Sequence, residues 1–171
     1  MAARGKNNPY YRTREQLADD VYNVLNSDKL SLGAKHAVIF ETTWLWTEIE
    51  GKYTGCQYWS KKACAHLHES ETIKAKILRH DHVVPRNYIV KRFLYGDMMN
   101  SEEVYSFLKT NLVGCILLKS EDDYLNEIGY QRKMPSKWNF GDNIWSRYTE
   151  AEIDVCEIIW EKKKGSVLEN T

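Results

Sequence analysis

Asp81 and His82 stand side by side in the stretch Arg79-His80-Asp81-His82-Val83-Val84-Pro85-Arg86-Asn87, and few residue pairs are better suited to hydrolysis. A carboxylate is a hard oxygen ligand for Mg²⁺ or another divalent metal ion, and a neutral imidazole with a pKa near neutrality is a natural general base. Adjacent side chains on a strand point to opposite sides, so one can hold a metal while the other addresses a water. The plainer alternative for the pair is a buried ion pair at a strand end, with Pro85 simply stopping the strand. His80 alternates with His82 and shares its face, where it either helps to bind phosphate or metal or is merely exposed. Arg79 and Arg86 could grip phosphates bidentately or be solvated surface residues.

These residues need elements to position them. Ile73 to Val84 has the mixed β-branched and polar character of a strand stopped by Pro85. Tyr88 to Leu94 reads as a helix, Ser101-Glu102-Glu103 caps another through Leu108, and Leu112 to Leu118 is a short apolar strand. Ser120-Glu121-Asp122-Asp123 has N-cap chemistry for a helix reaching Ile128, with Gly129 as its stop. Before this region, Thr13-Arg14-Glu15-Gln16 forms a capping box ahead of Leu17, Val21, Val24 and Leu25. A second, aromatic helix runs from Ser31 to Ile49, and Ser60 to His68 forms a short third one. After it, Ile153, Cys156 and Trp160 fall at helical spacing and predict a closing helix over Tyr148 to Lys163.

Charge is balanced, with 24 basic and 24 acidic residues, so any grip on nucleic acid must be local. From Lys74 to Arg92 the basic residues Lys74, Lys76, Arg79, Arg86, Lys91 and Arg92 are opposed by Asp81 alone. A second basic stretch runs through Arg132, Lys133 and Lys137 to Arg147. Such alternation also decorates ordinary solvated faces.

Asp81-His82-Val83-Val84-Pro85 resembles the Asp-His-(Ile/Val)-(Ile/Val)-Pro signature of HNH nucleases, the ββα-metal group. Asn111-Leu112-Val113-Gly114-Cys115-Ile116-Leu117-Leu118 is similar to that family's Asn-Leu entry into its second strand. The resemblance covers Ile77 to Ile128. It implies that Asp81 ligates a metal, that His82 is the general base and that Asn111 fixes the orientation of that base. It also implies a last metal ligand on the following helix, for which Asp122 is the preferred candidate and Asp123 the alternative. Two departures are plain: no histidine follows His82, and Arg86 to Thr110 inserts one or two helices between the strands. The implied activity is divalent-metal-dependent hydrolysis of DNA, with Arg79, Arg86, Lys91 and Arg92 positioning the backbone. Double-strand cleavage would require a homodimer or two successive cuts.

The fold expected is α+β, mainly helical, as a single domain over residues 1–171 with a small central ββα-metal unit at 77–128 and a helical insertion at 86–110. No apolar run is long enough to span a bilayer and no apolar stretch follows the first basic residues, so a cytoplasmic protein is expected. Cys56, Cys64, Cys115 and Cys156 are scattered singly, which suits reduced, mostly buried thiols. Structural zinc on Cys56, Cys64, His66, His68, His80 or His82 is disfavoured because no Cys-x-x-Cys pair occurs and Cys64 to His68 should splay around a helix. A thiol enzyme has nothing to select its nucleophile. The aromatic stretches Trp44-Leu45-Trp46, Tyr53 to Trp59 and Trp138 to Trp145 could stack unpaired bases or pack a core; Trp44 and Trp145 are expected in the core. The rival to a nuclease is a catalytically inactive module of phage or host-defence origin that docks on nucleic acid or protein through that aromatic surface.

Overall fold

The computed structural model describes residues 12–70, 76–97, 99–160 and 167–169. The first helix, α1 (Arg14–Asn26), is capped as expected by Thr13, and α2 (Leu32–Thr47) starts after Ser31, whose side chain caps it. A three-residue strand, β1 (Tyr58–Ser60), leads into α3 (Lys61–Ser70). The loaded stretch forms β2 (Leu78–His82), shorter than Ile73 to Val84, of which residues 73–75 lie outside the described residues.

Pro85 sits at the N-cap of α4 (Arg86–Tyr95), where its fixed φ and missing N–H do no harm to a helix start. Next comes α5 (Ser101–Asn111), whose capping box is made by Asn100 with Glu103 rather than by Ser101. Strand β3 (Gly114–Leu118) then runs directly into α6 (Lys119–Glu127). The start of α6 is set not by Ser120 but by Glu121, whose carboxylate reaches back to the Leu118 amide at 2.9 Å.

The expected closing helix is corrected. Only α7 (Ser146–Glu150) is helical; Glu152 takes a φ of 54°, the Ile153 amide bonds back to the Tyr148 carbonyl, and the chain leaves as β4 (Val155–Trp160). The β-branched Val155, Ile158 and Ile159 favour a strand, and buried Ile158 between exposed Glu157 and Ile159 follows its period of two. Residues 161–163 of that expected helix lie outside the described residues, and a last strand, β5 (Val167–Glu169), pairs with β4.

The fold is α+β, mostly helical around one mixed sheet of order β2-β3-β1-β4-β5. β2 pairs antiparallel with β3, setting His82 opposite Gly114 and Asp81 opposite Cys115, while β1 runs parallel to β3. With α6 next in the chain, β2, β3 and α6 form a ββα arrangement into which α4 and α5 are inserted. α1, α2, α4 and α5 share one apolar cluster, including Leu17, Ile39, Trp46, Ile89 and Leu108. Two smaller clusters line the sheet, around Trp59 and Ile116 and around Val83, Leu117 and Tyr148. No helix among the described residues is long and apolar enough to cross a membrane.

Candidate functional site

Strand β2 presents two different faces. Leu78, His80 and His82 are buried on one side, and Arg79 and Asp81, half-buried, lie on the other. Its end opens into a cavity of about 550 Å³ lined by Phe40, Trp44, His80, Asp81, His82, Pro85, Arg86, Asn87, Asp122, Gln131 and Arg132. Asp81, His82 and Asp122 thus border one space, although Asp122 lies 40 positions along the chain from His82. α6 supplies Asp122; its neighbours Glu121 and Asp123 turn elsewhere, Glu121 to the Ser60 hydroxyl at 2.5 Å and Asp123 to Lys119.

The histidine face rests on α2. His82 Nε2 lies 3.1 Å from Thr47 Oγ1, and the Trp44 ring meets the His82 ring edge-on at 4.7 Å. Burial, helped by His80, Arg86 and Arg147, holds the His82 imidazolium well below its ordinary pKa, with the Thr43 backbone pulling the other way. His82 is therefore neutral at pH 7, the form able to accept a proton. His80 is 8% exposed and packs against both Trp44 and His82. Both its ring nitrogens are buried without a hydrogen-bond partner, and burial lowers its pKa to about 4. Its Nε2 would lie 2.6 Å from a Cβ at Gly114, so that position has no room for a side chain.

The opposite face is ionic. Asp81 Oδ2 accepts from the Arg147 guanidinium and, at 2.6 Å, from the Tyr148 hydroxyl, both contributed by α7. Arg147 is wholly buried and also donates to the carbonyls of Val83 at 2.7 Å, His82 at 2.5 Å and Tyr130 at 2.9 Å. Burial raises the Asp81 carboxyl above its ordinary pKa, Arg147 and Tyr148 oppose that, and Asp122 adds to it. Asp81 is thus in a buried ion pair with Arg147, and not with His82, which burial keeps neutral. Both contacts fall on Oδ2 and not on Oδ1.

The remaining expected site residues divide. Asn111 is buried with Nδ2 donating to the Phe107 carbonyl at 3.0 Å, while the hydroxyl beside the His82 ring comes from Thr47. The Arg79 guanidinium turns back to the Lys76 and Leu78 carbonyls and does not line the cavity. Arg86 does line it, with its guanidinium 3.7 Å from the Phe40 ring centroid and 4.5 Å from that of Trp44. Lys91 and Arg92 line a neighbouring cavity. Trp44, expected in the core, is only half-buried, and so is Trp145.

Thr47, Phe40, Trp44 and Arg147 escaped the sequence as site residues because they lie 35 or more positions from the His80, Asp81, His82 or Arg86 side chain that each contacts, and no local spacing marks such a contact. Cys64 and His68 do meet on α3, with Sγ 3.7 Å from Nε2, which corrects the expected splay: residues four apart share a helix face. Even so, no group of three or more His, Cys, Asp or Glu side chains suited to a metal ion occurs among the described residues. As a donor set for a hard divalent ion, Asp81 Oδ1 and Asp122 fit by type, since Mg²⁺ commonly takes one or two carboxylates and fills its shell with water and phosphate oxygens. Comparisons with protein-family models, with curated proteins and with solved structures found no match to this chain.

Proposed function

We propose that the protein is a divalent-metal-dependent DNA endonuclease of HNH type. The observation that carries this reading is the meeting of Asp81, His82 and Asp122 on one cavity at the end of a ββα arrangement, with Arg86 and Arg132 at the same cavity. Asp81 and Asp122 would hold the cation, which supplies stabilisation of charge on the phosphate and the leaving oxygen. His82, neutral at pH 7, takes the proton of the attacking water. Because Nε2 is engaged by Thr47, that role falls to Nδ1. Thr47 therefore replaces Asn111 as the residue that orients the base. Arg86, stacked on Phe40 and Trp44, holds its fork rigid for a phosphate.

The second reading, a catalytically inactive binding module, draws on the absence of a three-ligand cluster among the described residues and on the prior commitment of Asp81 to Arg147. A nicking assay on supercoiled plasmid with Mg²⁺, Mn²⁺ or EDTA separates the two. Metal-dependent nicking that is lost in both His82→Ala and Asp122→Ala is expected; absence of nicking with every metal would leave the binding module.

A further inference from the structure

A second cavity, of about 690 Å³, adjoins the first, and Asn87 and Arg132 line both. Its cations are Lys91 and Arg92 from α4 and Arg132 and Lys133 from the loop after α6, and no carboxylate is among its lining residues. None of the four makes an ion pair among the described residues. Four uncompensated cations around one concavity repel one another and favour a polyanion. The same concavity has aromatic walls: Tyr88 and Phe140 line it, and Tyr95 stands 71% exposed at the far end of α4.

Basic side chains interleaved with accessible ring faces are the requirements of unpaired bases, because a duplex already stacks its bases on one another and offers a protein only edges and phosphates. We propose that this groove is a track for single-stranded DNA leading into the β2 cavity; the inference rests on the nuclease reading for what happens at the cavity, and not for the binding itself. The ten residues of α4 from Arg86 to Tyr95 set the length of the track. At about 1.5 Å per helical residue and about 3.4 Å per stacked nucleotide, the track holds about four nucleotides on one side of the reacting phosphate. Tyr95 would stack the outermost base, Lys91 and Lys133 would pair with phosphates, and Arg132 would bridge the two cavities.

The test is fluorescence anisotropy of labelled dT₁₂ in EDTA, where no cleavage interferes, with a 12-base-pair duplex as competitor. The expected result is at least tenfold tighter binding of dT₁₂ than of the duplex, weakened about tenfold in Tyr95→Ala. In Lys91→Ala/Lys133→Ala the dependence of log affinity on log salt should be shallower by about 1.4. These side chains are exposed, so folding should be unaffected, and circular dichroism checks it. Equal binding of duplex and single strand, or full affinity in Tyr95→Ala, overturns the track. Tight, Tyr95-dependent binding by a protein that with Mg²⁺ or Mn²⁺ cuts neither the plasmid nor the labelled single strand keeps the track and removes the nuclease; cleavage without single-strand preference does the reverse.

Discussion

The two faces of β2 carry polar groups at similar depth and manage them in opposite ways. On the Asp81 side a buried charge is answered by a buried charge, and Arg147 spends its hydrogen bonds on three carbonyls and a carboxylate. On the histidine side no carboxylate answers the polar groups: His80 and His82 are kept neutral by burial among Trp44, Thr47 and each other, helped by the nearby positive charge of Arg86. The contrast separates two tasks at one strand. The ionic side holds the strand end in place, since a wholly buried guanidinium is tolerable only while its partners stay put. The neutral side keeps an unprotonated imidazole at a cavity, which is what proton abstraction needs.

Loss of the His82 imidazole should therefore act mainly on turnover, and loss of the Arg147 guanidinium on stability. The largest effect is expected from His82→Ala, which should lower the nicking rate by about 10²–10⁴-fold with little change in the urea midpoint; undiminished nicking would remove His82 as the base. Arg147→Met leaves Asp81 buried without its counter-charge and should cost about 3–5 kcal/mol in urea unfolding. If that variant were as stable as the parent, the ionic face would not be what holds the strand end.

Gly114→Ala tests how tightly the neutral face is packed. The added methyl meets His80 Nε2 at 2.6 Å, so a loss of about 1–3 kcal/mol is expected, and His80→Ala in the same chain should recover most of it. Acid should weaken this face as well. His80 titrates near 4 when folded against 6.5 when exposed, so the unfolded chain binds the extra proton between these values. Its contribution to stability is complete above about pH 6.5 and is lost as pH falls towards 4; in EDTA, the parent's urea midpoint should drop between pH 7 and 5 more than that of His80→Leu. The smallest effect is expected for Thr47→Val, which removes one hydrogen bond to His82 and should slow nicking by about five- to tenfold at unchanged DNA affinity.

Much of the scaffold was legible because its signals are local. Thr13 with Gln16, Ser31 and Gly129 each act within a few residues, and the helices they bound stand close to where expected, while Pro85 ends a strand shorter than expected and starts α4 two residues early. The closing helix failed for the opposite reason: Ile153, Cys156 and Trp160 match a helical period by spacing, but pairing with Tyr58–Ser60, a strand too short to announce itself, decides the conformation of β4. The site followed the same division. Asp81, His82 and Asp122 could be named from the chain and do border one cavity. The residues that contact them, Thr47 and Arg147, are joined to them only by the tertiary fold, and the Asn111 side chain donates to the Phe107 carbonyl while the hydroxyl beside the His82 ring is that of Thr47 on α2.

The Asp81–Arg147 link also bears on the order in which the molecule assembles. The two residues are 66 positions apart. β2, β3 and α6 can meet once the chain has grown past Glu127, but the guanidinium that anchors the strand end is synthesised 20 residues later. Contacts of such sequence separation close late, since the loop entropy comes before any reward. A nascent chain therefore carries Asp81 and His82 for a time without their anchor, and maturation of the strand end should coincide with docking of α7. Pulse-labelled hydrogen exchange during refolding would show the Val83 amide, bonded to Val113 at the open end of β2, gaining protection in the same phase as the Tyr148 amide.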